Sequence, residues 1–181
     1  MVPVRRRAFI GLIFSSAAIW PLPSRAQQTA KLYRIGYLGM TSHAAYAREI
    51  GALLTSLRQL GYEEGKNIVI HYQFAGGHYD RLPALAAELV KLKLDVLLTH
   101  STPGAHAASQ ATSTIPIVVM AAADLVSTGL VPSVARPGGN LTGLTFFFSE
   151  LCAKRVELIK EAVPGLRRLG VLVNPGNRVA R

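Results

Sequence analysis

Short apolar runs alternate with longer segments of helical periodicity along most of this chain. Five runs rich in β-branched and aromatic residues predict strands: 32–39, 68–74, 94–99, 115–121 and 141–146. Four segments with apolar residues every three or four positions predict helices: 44–60, 81–92, 103–111 and 150–162. Most of the strand runs are continuously apolar, which indicates strands covered on both faces. The alternation therefore predicts an α/β fold with a doubly wound parallel sheet.

The pattern also predicts elements of a second unit near the end of the printed chain. A short helix is expected near 127–134, and a further apolar run over 168–175 (RLGVLVNP) predicts one more strand. No later element in the printed chain could pair with that strand. We therefore expect a first α/β lobe over 27–146, followed over 147–181 by a crossover helix and the first strand of a truncated second lobe.

The first 26 residues carry the pattern of an export signal. A basic start with Arg5, Arg6 and Arg7 leads into an apolar stretch, and Ser24 and Ala26 supply the small residues that precede a cleavage site. The apolar stretch is short for a membrane span, so a cleaved signal is preferred over an anchor. The segment RRAFI (6–10) resembles a twin-arginine signal, and both this route and the general one stay open. The sequence thus predicts a periplasmic protein.

Charge and cysteine content exclude several other classes of protein. Part of the formal charge of +10 comes from arginines of the export segment. Elsewhere, basic residues are interspersed with acidic ones. No basic stripe with interleaved aromatic residues is found, so we expect no nucleic-acid partner. The single cysteine, Cys152, excludes an internal disulfide and a cysteine metal cluster, and its place on a predicted helix suggests a small buried side chain.

The segment LLTHSTPGAHAA (97–108) raises the question of catalysis, because an apolar strand ends there in hydroxyl residues flanked by histidines. A serine nucleophile at Ser101 would need the glycines of a G-x-S-x-G turn, which are missing. The five histidines lack the spacing of a metal site, and Gly36 and Gly39 alone do not make a dinucleotide-binding loop. We therefore expect no enzyme activity and neither a metal nor a cofactor.

Recognition without catalysis is the interpretation that remains for this edge of the sheet. Ligands of doubly wound folds bind outside the carboxyl ends of the strands. There, the segments 41–44 and 101–105 offer hydroxyl groups and backbone N–H groups that suit a carboxylate. A hydroxyl of Ser101 or Thr102 that only caps its helix is an equally good interpretation of the second segment.

Several longer stretches, taken in order along the chain, resemble one protein family. They are SRAQQ (24–28), YRIGYLG (33–39), GYEEGKNIVIHY (61–72), YDRLPALAAELV (79–90), STPGAHAA (101–108), IPIVV (115–119), DLVSTGLV (124–131), ARPGGNLTGLT (135–145) and LGVLVNP (169–175). The family is that of the ABC transporter substrate-binding proteins of the tryptophan/tyrosine-permease-like group, which have a type I periplasmic-binding fold.

This resemblance implies a bilobed receptor that closes on an amino-acid-like solute, aromatic in some members, and delivers it to a membrane permease. It implies a hinge within 140–145 and no cofactor. The ligand contacts that it implies are Thr41, Ser42, His43, Ser101, Thr102, Gly104, Ala122, Asp124 and Asn174. Because members of the family run beyond residue 181, we expect the printed chain to bind solute weakly or not at all.

Two other functions fit the same fold class. One is a hydrolase-like α/β enzyme, which would need a base and an acid brought to Ser101 from elsewhere in the chain. The other is an effector-binding sensor domain of a transcription regulator, which would begin with a helix-turn-helix rather than an export signal. Fold alone does not separate these functions, and the export segment and the ordered motifs favour the solute receptor.

Overall fold

In the part of the chain that the structure describes, five parallel strands form a sheet in the order β2-β1-β3-β4-β5. The computed structural model describes residues 31–123, 125–146 and 148–172, so the predicted export signal lies outside the described residues. The strands are β1 (Tyr33–Gly39), β2 (Ile68–Phe74), β3 (Val96–Thr99), β4 (Ile117–Ala123) and β5 (Leu141–Phe146). The prediction of a doubly wound parallel sheet is confirmed, because every pair of neighbouring strands is parallel.

The described part of the chain has four helices and two short 3₁₀ turns; three of the helices lie between strands and the fourth follows β5. The helices are α1 (Ala47–Gln59), α2 (Leu82–Val90), α3 (Thr102–Ala111) and α4 (Phe148–Ala162), and the 3₁₀ turns are Ala44–Tyr46 and Tyr79–Arg81. Pro83 and Pro103 each lie in the first turn of a helix, where the missing N–H costs no hydrogen bond. Each connection returns the chain to the same end of the sheet, as parallel pairing requires.

The core has two parts, one on each face of the sheet. On one face α2 and α3 pack on the central strands around Leu38, Leu97 and Val119. On the other face α1 packs on β1 and β2, with Ile50 against residues such as Ile35 and Ile70. Successive residues of β1 therefore enter opposite halves of the core, which explains why the strand has no polar side chain from Ile35 to Leu38, although Tyr37 carries a hydroxyl group on its ring.

The chain adds strands first on one side of β1 and then on the other, so its direction across the sheet reverses between β1 and β3. The chain moves from β1 outward to β2, then crosses back to β3 on the other side of β1 and continues to β4 and β5. Loops at the carboxyl ends of β1 and β3 must therefore diverge over opposite faces, which leaves a crevice between them. The sequence predicts the ligand site at these same strand ends.

Strands β4 and β5 approach each other closely at Gly143. Val119 is paired with Gly143, and the register then shifts before Ala122 pairs with Thr145. Gly143 has φ of 150°, a conformation that side chains disfavour, and an added Cβ would overlap the backbone of Val119. Asn140 fixes the entry to β5, because its Nδ2 donates to the carbonyl oxygens of Ile115 at 2.7 Å and Thr112 at 3.2 Å.

Three details of the sequence prediction differ from the structure. Residues 127–134 form turns rather than a short helix, and 168–172 contain no strand, while 173–175 lie outside the described residues. Cys152 is exposed instead of buried. All three follow from the same cause: local periodicity shows which side of a segment is apolar, but not whether another element packs on it. Within the described ranges, no helix is both long and apolar enough to cross a membrane.

Candidate functional site

The loop after β1 is held by continued pairing with the chain after β2. The carbonyl oxygens of Met40 and Thr41 accept hydrogen bonds from the N–H groups of Gly77 and Gly76 at 2.8 and 3.0 Å. Positive φ values at both glycines permit this tight turn. Thr41 is consequently fixed at the mouth of the crevice, and the residues that follow it project beyond the sheet edge.

Ser42 and His43 follow at the start of the first 3₁₀ turn, and both are exposed. The Ser42 hydroxyl accepts from the N–H of Ala45 at 3.3 Å. The imidazole of His43 lies edge-on to the rings of Tyr72 and Phe74, with centroid separations of 5.6 and 5.5 Å. His43 is thus oriented by aromatic contacts, which suit a wall of a binding site better than a proton-transfer role.

The loop after β3 contains a strained residue, Ser101. Its φ of 95° and ψ of 153° lie in a region that is almost restricted to glycine. Ser101 is the N-cap of α3, and its Oγ accepts from the N–H of Gly104 at 3.3 Å. Its own N–H donates to the carbonyl oxygen of Ala121 at 2.8 Å, which ties the loop to β4. The cap uses only an acceptor of the hydroxyl, so its proton can still be donated to a ligand.

Thr102 and Gly104 are buried and stabilise the conformation of this loop. Thr102 is 4% exposed, and its Oγ1 both donates to the carbonyl oxygen and accepts from the N–H of Ala123, each at 3.1 Å. Gly104 is buried, and a Cβ there would collide with Thr99 Oγ1, which donates to the carbonyl oxygen of Leu38. Thr102 can thus meet a ligand through its backbone N–H, whereas Gly104 lets α3 begin close to the sheet.

The remaining three predicted ligand contacts add no described side chain to this site. The side chain of Ala122 is 3% exposed and belongs to the core beneath α2 and α3, which leaves only its backbone for a ligand. Asp124 and Asn174 lie outside the described residues. The described part of the site is therefore formed by the loops after β1 and β3.

Sequence reasoning missed a cluster of aromatic rings behind these loops. Tyr37 is completely buried, and its ring lies 5.7 Å from those of Tyr72 and Phe74, centroid to centroid. Tyr46 packs on Tyr37 from the 3₁₀ turn at 6.1 Å, and burial raises the pKa of the Tyr37 hydroxyl far above its usual range. The alternating Tyr72 and Phe74 were a usable indication, since alternate residues of a strand share one face.

His100 joins this cluster at the end of β3, where its ring is tilted on that of Tyr46 with centroids 5.3 Å apart. Burial lowers the pKa of His100, and the nearby carboxylate of Glu49 opposes this only in part. An imidazole packed in this way resists protonation. Among the described residues, no group of three His, Cys, Asp or Glu side chains is placed to hold a metal ion.

We expect the stability of the fold to decrease below pH 6.5 because of His100. The unfolded chain binds a proton near the ordinary histidine pKa of about 6.5, whereas the folded chain binds it only at lower pH. The unfolded state then carries more protons, so the free energy of unfolding falls as the pH drops and levels off below the folded-state pKa. Urea unfolding between pH 5 and 8 measures this slope. It should be shallower in His100→Gln; a slope equal to that of the parent protein would contradict the assignment.

Comparisons of the sequence identify relatives of known class. A family model described as ABC transporter substrate binding protein matches residues 34–181. A protein of Clostridioides difficile named tyrosine-binding protein is 32% identical over 151 residues, which are 83% of this chain and 43% of that protein.

Solved structures give the same picture of the fold. A conserved domain protein from Vibrio cholerae is similar with a TM-score of 0.72 and 38% identity, over 81% of this chain and 49% of that one. A Streptococcus pneumoniae ABC domain in complex with L-Trp is similar with a TM-score of 0.59 and 25% identity, over 64% of this chain and 39% of that one. The printed chain thus spans less than half the length of each of these relatives.

Proposed function

The chain belongs to the ABC transporter substrate-binding protein family, and on this basis we propose that it is the periplasmic solute receptor of an ABC importer. In this role it binds a small solute at the carboxyl ends of β1 and β3 and hands it to a membrane permease, with residues 1–26 as its export signal. The observation that carries the proposal is the position of Ser42 and Ser101. They lie on two loops that diverge at the reversal point of a doubly wound sheet.

The solute that we propose is an amino acid, with an aromatic side chain as the preferred class. Its carboxylate would accept from the Ser101 hydroxyl and from the N–H of Thr102 at the positive end of α3. Its side chain would lie toward His43, whose ring is already held against Tyr72 and Phe74. The names of two relatives, one tyrosine-binding and one solved with L-Trp, support this choice.

The other predicted positions have more limited parts in this proposal. Thr41 would shape the mouth of the site, Gly104 would permit the close approach of α3, and Ala122 would contribute only backbone atoms. Asp124 and Asn174 are proposed contacts on the resemblance alone. The division into a first lobe over 27–146 and a crossover segment over 147–181 is likewise part of the proposal.

A nuclear magnetic resonance titration tests where the solute binds. We expect L-tyrosine and L-tryptophan to shift the amide signals of residues 41–43 and 100–102 in the chain that begins at Gln27. The method detects weak complexes, which matters because a site open on one side lacks the burial that gives such pockets their affinity.

Two controls sharpen this titration. Glucose, which has no carboxylate, should leave these signals in place, and residues 91–95, which lie beside Arg34 at the opposite end of the sheet, should not respond to the amino acids. Shifts spread evenly over the chain, or an equal response to glucose, would contradict the proposed site.

A further inference from the structure

One polar side chain at the carboxyl end of the sheet, that of His100, is not among the predicted ligand contacts. His100 lies between Thr99, the last residue of β3, and Ser101, the N-cap of α3. Its side chain is half-buried, and its ring lies against that of Tyr46, which belongs to the 3₁₀ turn after the β1 loop. The imidazole of His100 therefore bridges the two loops that carry the proposed solute site.

The ring nitrogens of His100 are available to a ligand. Within the described ranges, neither nitrogen has a hydrogen-bond partner in the protein. A neutral imidazole carries one N–H donor and one acceptor nitrogen, whereas the protonated ring carries two donors. A carboxylate accepts from both forms, and it binds the protonated form more strongly because that hydrogen bond is charge-assisted. A ligand with a carboxylate next to this ring therefore favours its protonation.

The groups that surround His100 contribute little negative charge. The titratable side chains that face this part of the crevice from the described elements are Tyr37, His43, Tyr46, Glu49 and Tyr72. On the side of β4, residues 121–123 are all alanine. Glu49 is exposed, so water weakens its attraction for a charged imidazole. Burial outweighs this attraction and lowers the pKa of His100, which keeps the ring neutral before a solute binds.

We propose that His100 is a further contact of the solute carboxylate, and that the solute binds together with one proton on this imidazole. The inference rests on the proposed function, in which the hydroxyl of Ser101 and the N–H of Thr102 hold that carboxylate. His100 directly precedes these two residues, so one ring nitrogen donates to the carboxylate and the other nitrogen takes up a proton from the solvent. The ligand class that this selects is an amino acid or another organic carboxylate.

Two effects of the solute on His100 oppose each other. The carboxylate favours the charged ring, because an opposite charge within about 4–6 Å raises the pKa of a cationic group by about 1–3. An aromatic side chain removes water from the ring and favours the neutral form. His100 is already half-buried against Tyr46, so part of this second effect is present before the solute arrives. The carboxylate therefore dominates, and by linkage the solute affinity rises as the pH falls.

Nuclear magnetic resonance titrations with L-tyrosine at pH 5.5, 6.5 and 7.5 test this coupling. They use the chain that begins at Gln27, in which the residues from Leu32 onward form a compact unit of their own. L-tyrosine stays zwitterionic over this range, so its own charge does not change. We expect its dissociation constant to decrease about 10-fold from pH 7.5 to pH 5.5. The Cε1–H signal of His100 should titrate at higher pH with L-tyrosine than without it.

Two ligands and one variant serve as controls. Tyramine keeps the ring and the ammonium group of L-tyrosine but lacks its carboxylate, whereas 3-(4-hydroxyphenyl)propionate keeps the ring and the carboxylate. The propionate should bind more tightly at pH 5.5, and tyramine should not. His100→Gln keeps a hydrogen-bond donor but cannot take up the proton, so its affinity for L-tyrosine should not change with pH. Circular dichroism confirms that this variant is folded.

The outcomes distinguish this inference from the proposed function. If L-tyrosine shifts the amide signals of residues 41–43 and 100–102 with an affinity that is the same at all three pH values, proton uptake by His100 is overturned and the solute site stands. An equal rise in affinity for tyramine, or in His100→Gln, overturns the contact between His100 and the carboxylate. No response to any of the three ligands at any pH overturns the solute site and this inference together.

Discussion

Replacing Gly143 by alanine should lower the free energy of unfolding by about 2–5 kcal/mol, from overpacking and an unfavourable backbone conformation together. An added methyl group would lie 2.7 Å from the backbone nitrogen of Val119 and overlap its carbonyl oxygen. Neither atom can move without breaking the pairing of β4 with β5. The φ of 150° adds strain for any residue with a side chain. Urea unfolding followed by circular dichroism measures the loss.

Gly51 provides the matched control for this substitution. It lies in the exposed middle of α1, where an added Cβ meets nothing within 4 Å. Gly51→Ala should therefore raise the free energy of unfolding by about 0.5–1 kcal/mol through helix propensity. Equal small effects at both glycines would mean that β4 and β5 do not pair closely in solution.

Ser101→Gly and Ser101→Ala should change stability in opposite directions, although both remove the same hydroxyl. Glycine relieves about 1–3 kcal/mol of backbone strain. This gain is opposed by a loss of roughly 1 kcal/mol, because the N-cap hydrogen bond disappears and the unfolded chain gains conformational entropy. It should thus stabilise the fold by about 1 kcal/mol. Alanine keeps the strained φ of 95° and loses the cap to Gly104, so it should destabilise the fold by about 1 kcal/mol.

The two variants should agree in solute binding, which separates the role of the hydroxyl from that of the strain. A lost hydrogen bond to a carboxylate costs about 1.5–3 kcal/mol, so L-tyrosine affinity should fall about 10- to 100-fold in both. Titration of the amide signals gives the dissociation constants. Full affinity in Ser101→Gly would show that the hydroxyl only caps α3, which is the alternative that the sequence left open.

Most of the strands could be predicted because a strand that is buried on both faces consists of consecutive apolar residues. The run over 32–39 is apolar at every position except Arg34, and β1 is indeed an interior strand, between β2 and β3. The aromatic cluster could not be predicted in the same way. It depends on the register that sets Tyr37 beside Tyr72 and Gly39 beside Phe74, and register arises from pairing between distant segments.

The conformation of Ser101 was also beyond the reach of sequence patterns. A serine does not by itself indicate a positive φ, and the hydrogen bonds of Ser101 with Ala121, Gly104 and Ala105 that accompany this φ form only in the folded chain. The exposed Cys152 shows the complementary limit. Helical spacing correctly placed it on an amphipathic helix, but the partner of that helix is not encoded in its own residues.

The paired hydrogen bonds between Thr102 and Ala123 have a consequence for the energetics of recognition. They join the start of α3 to the last residue of β4, so the loops after β3 and β4 share one anchor. A solute that touches this anchor meets atoms whose freedom was already lost on folding. Little further ordering of this edge is then needed, and more of each new contact appears as affinity.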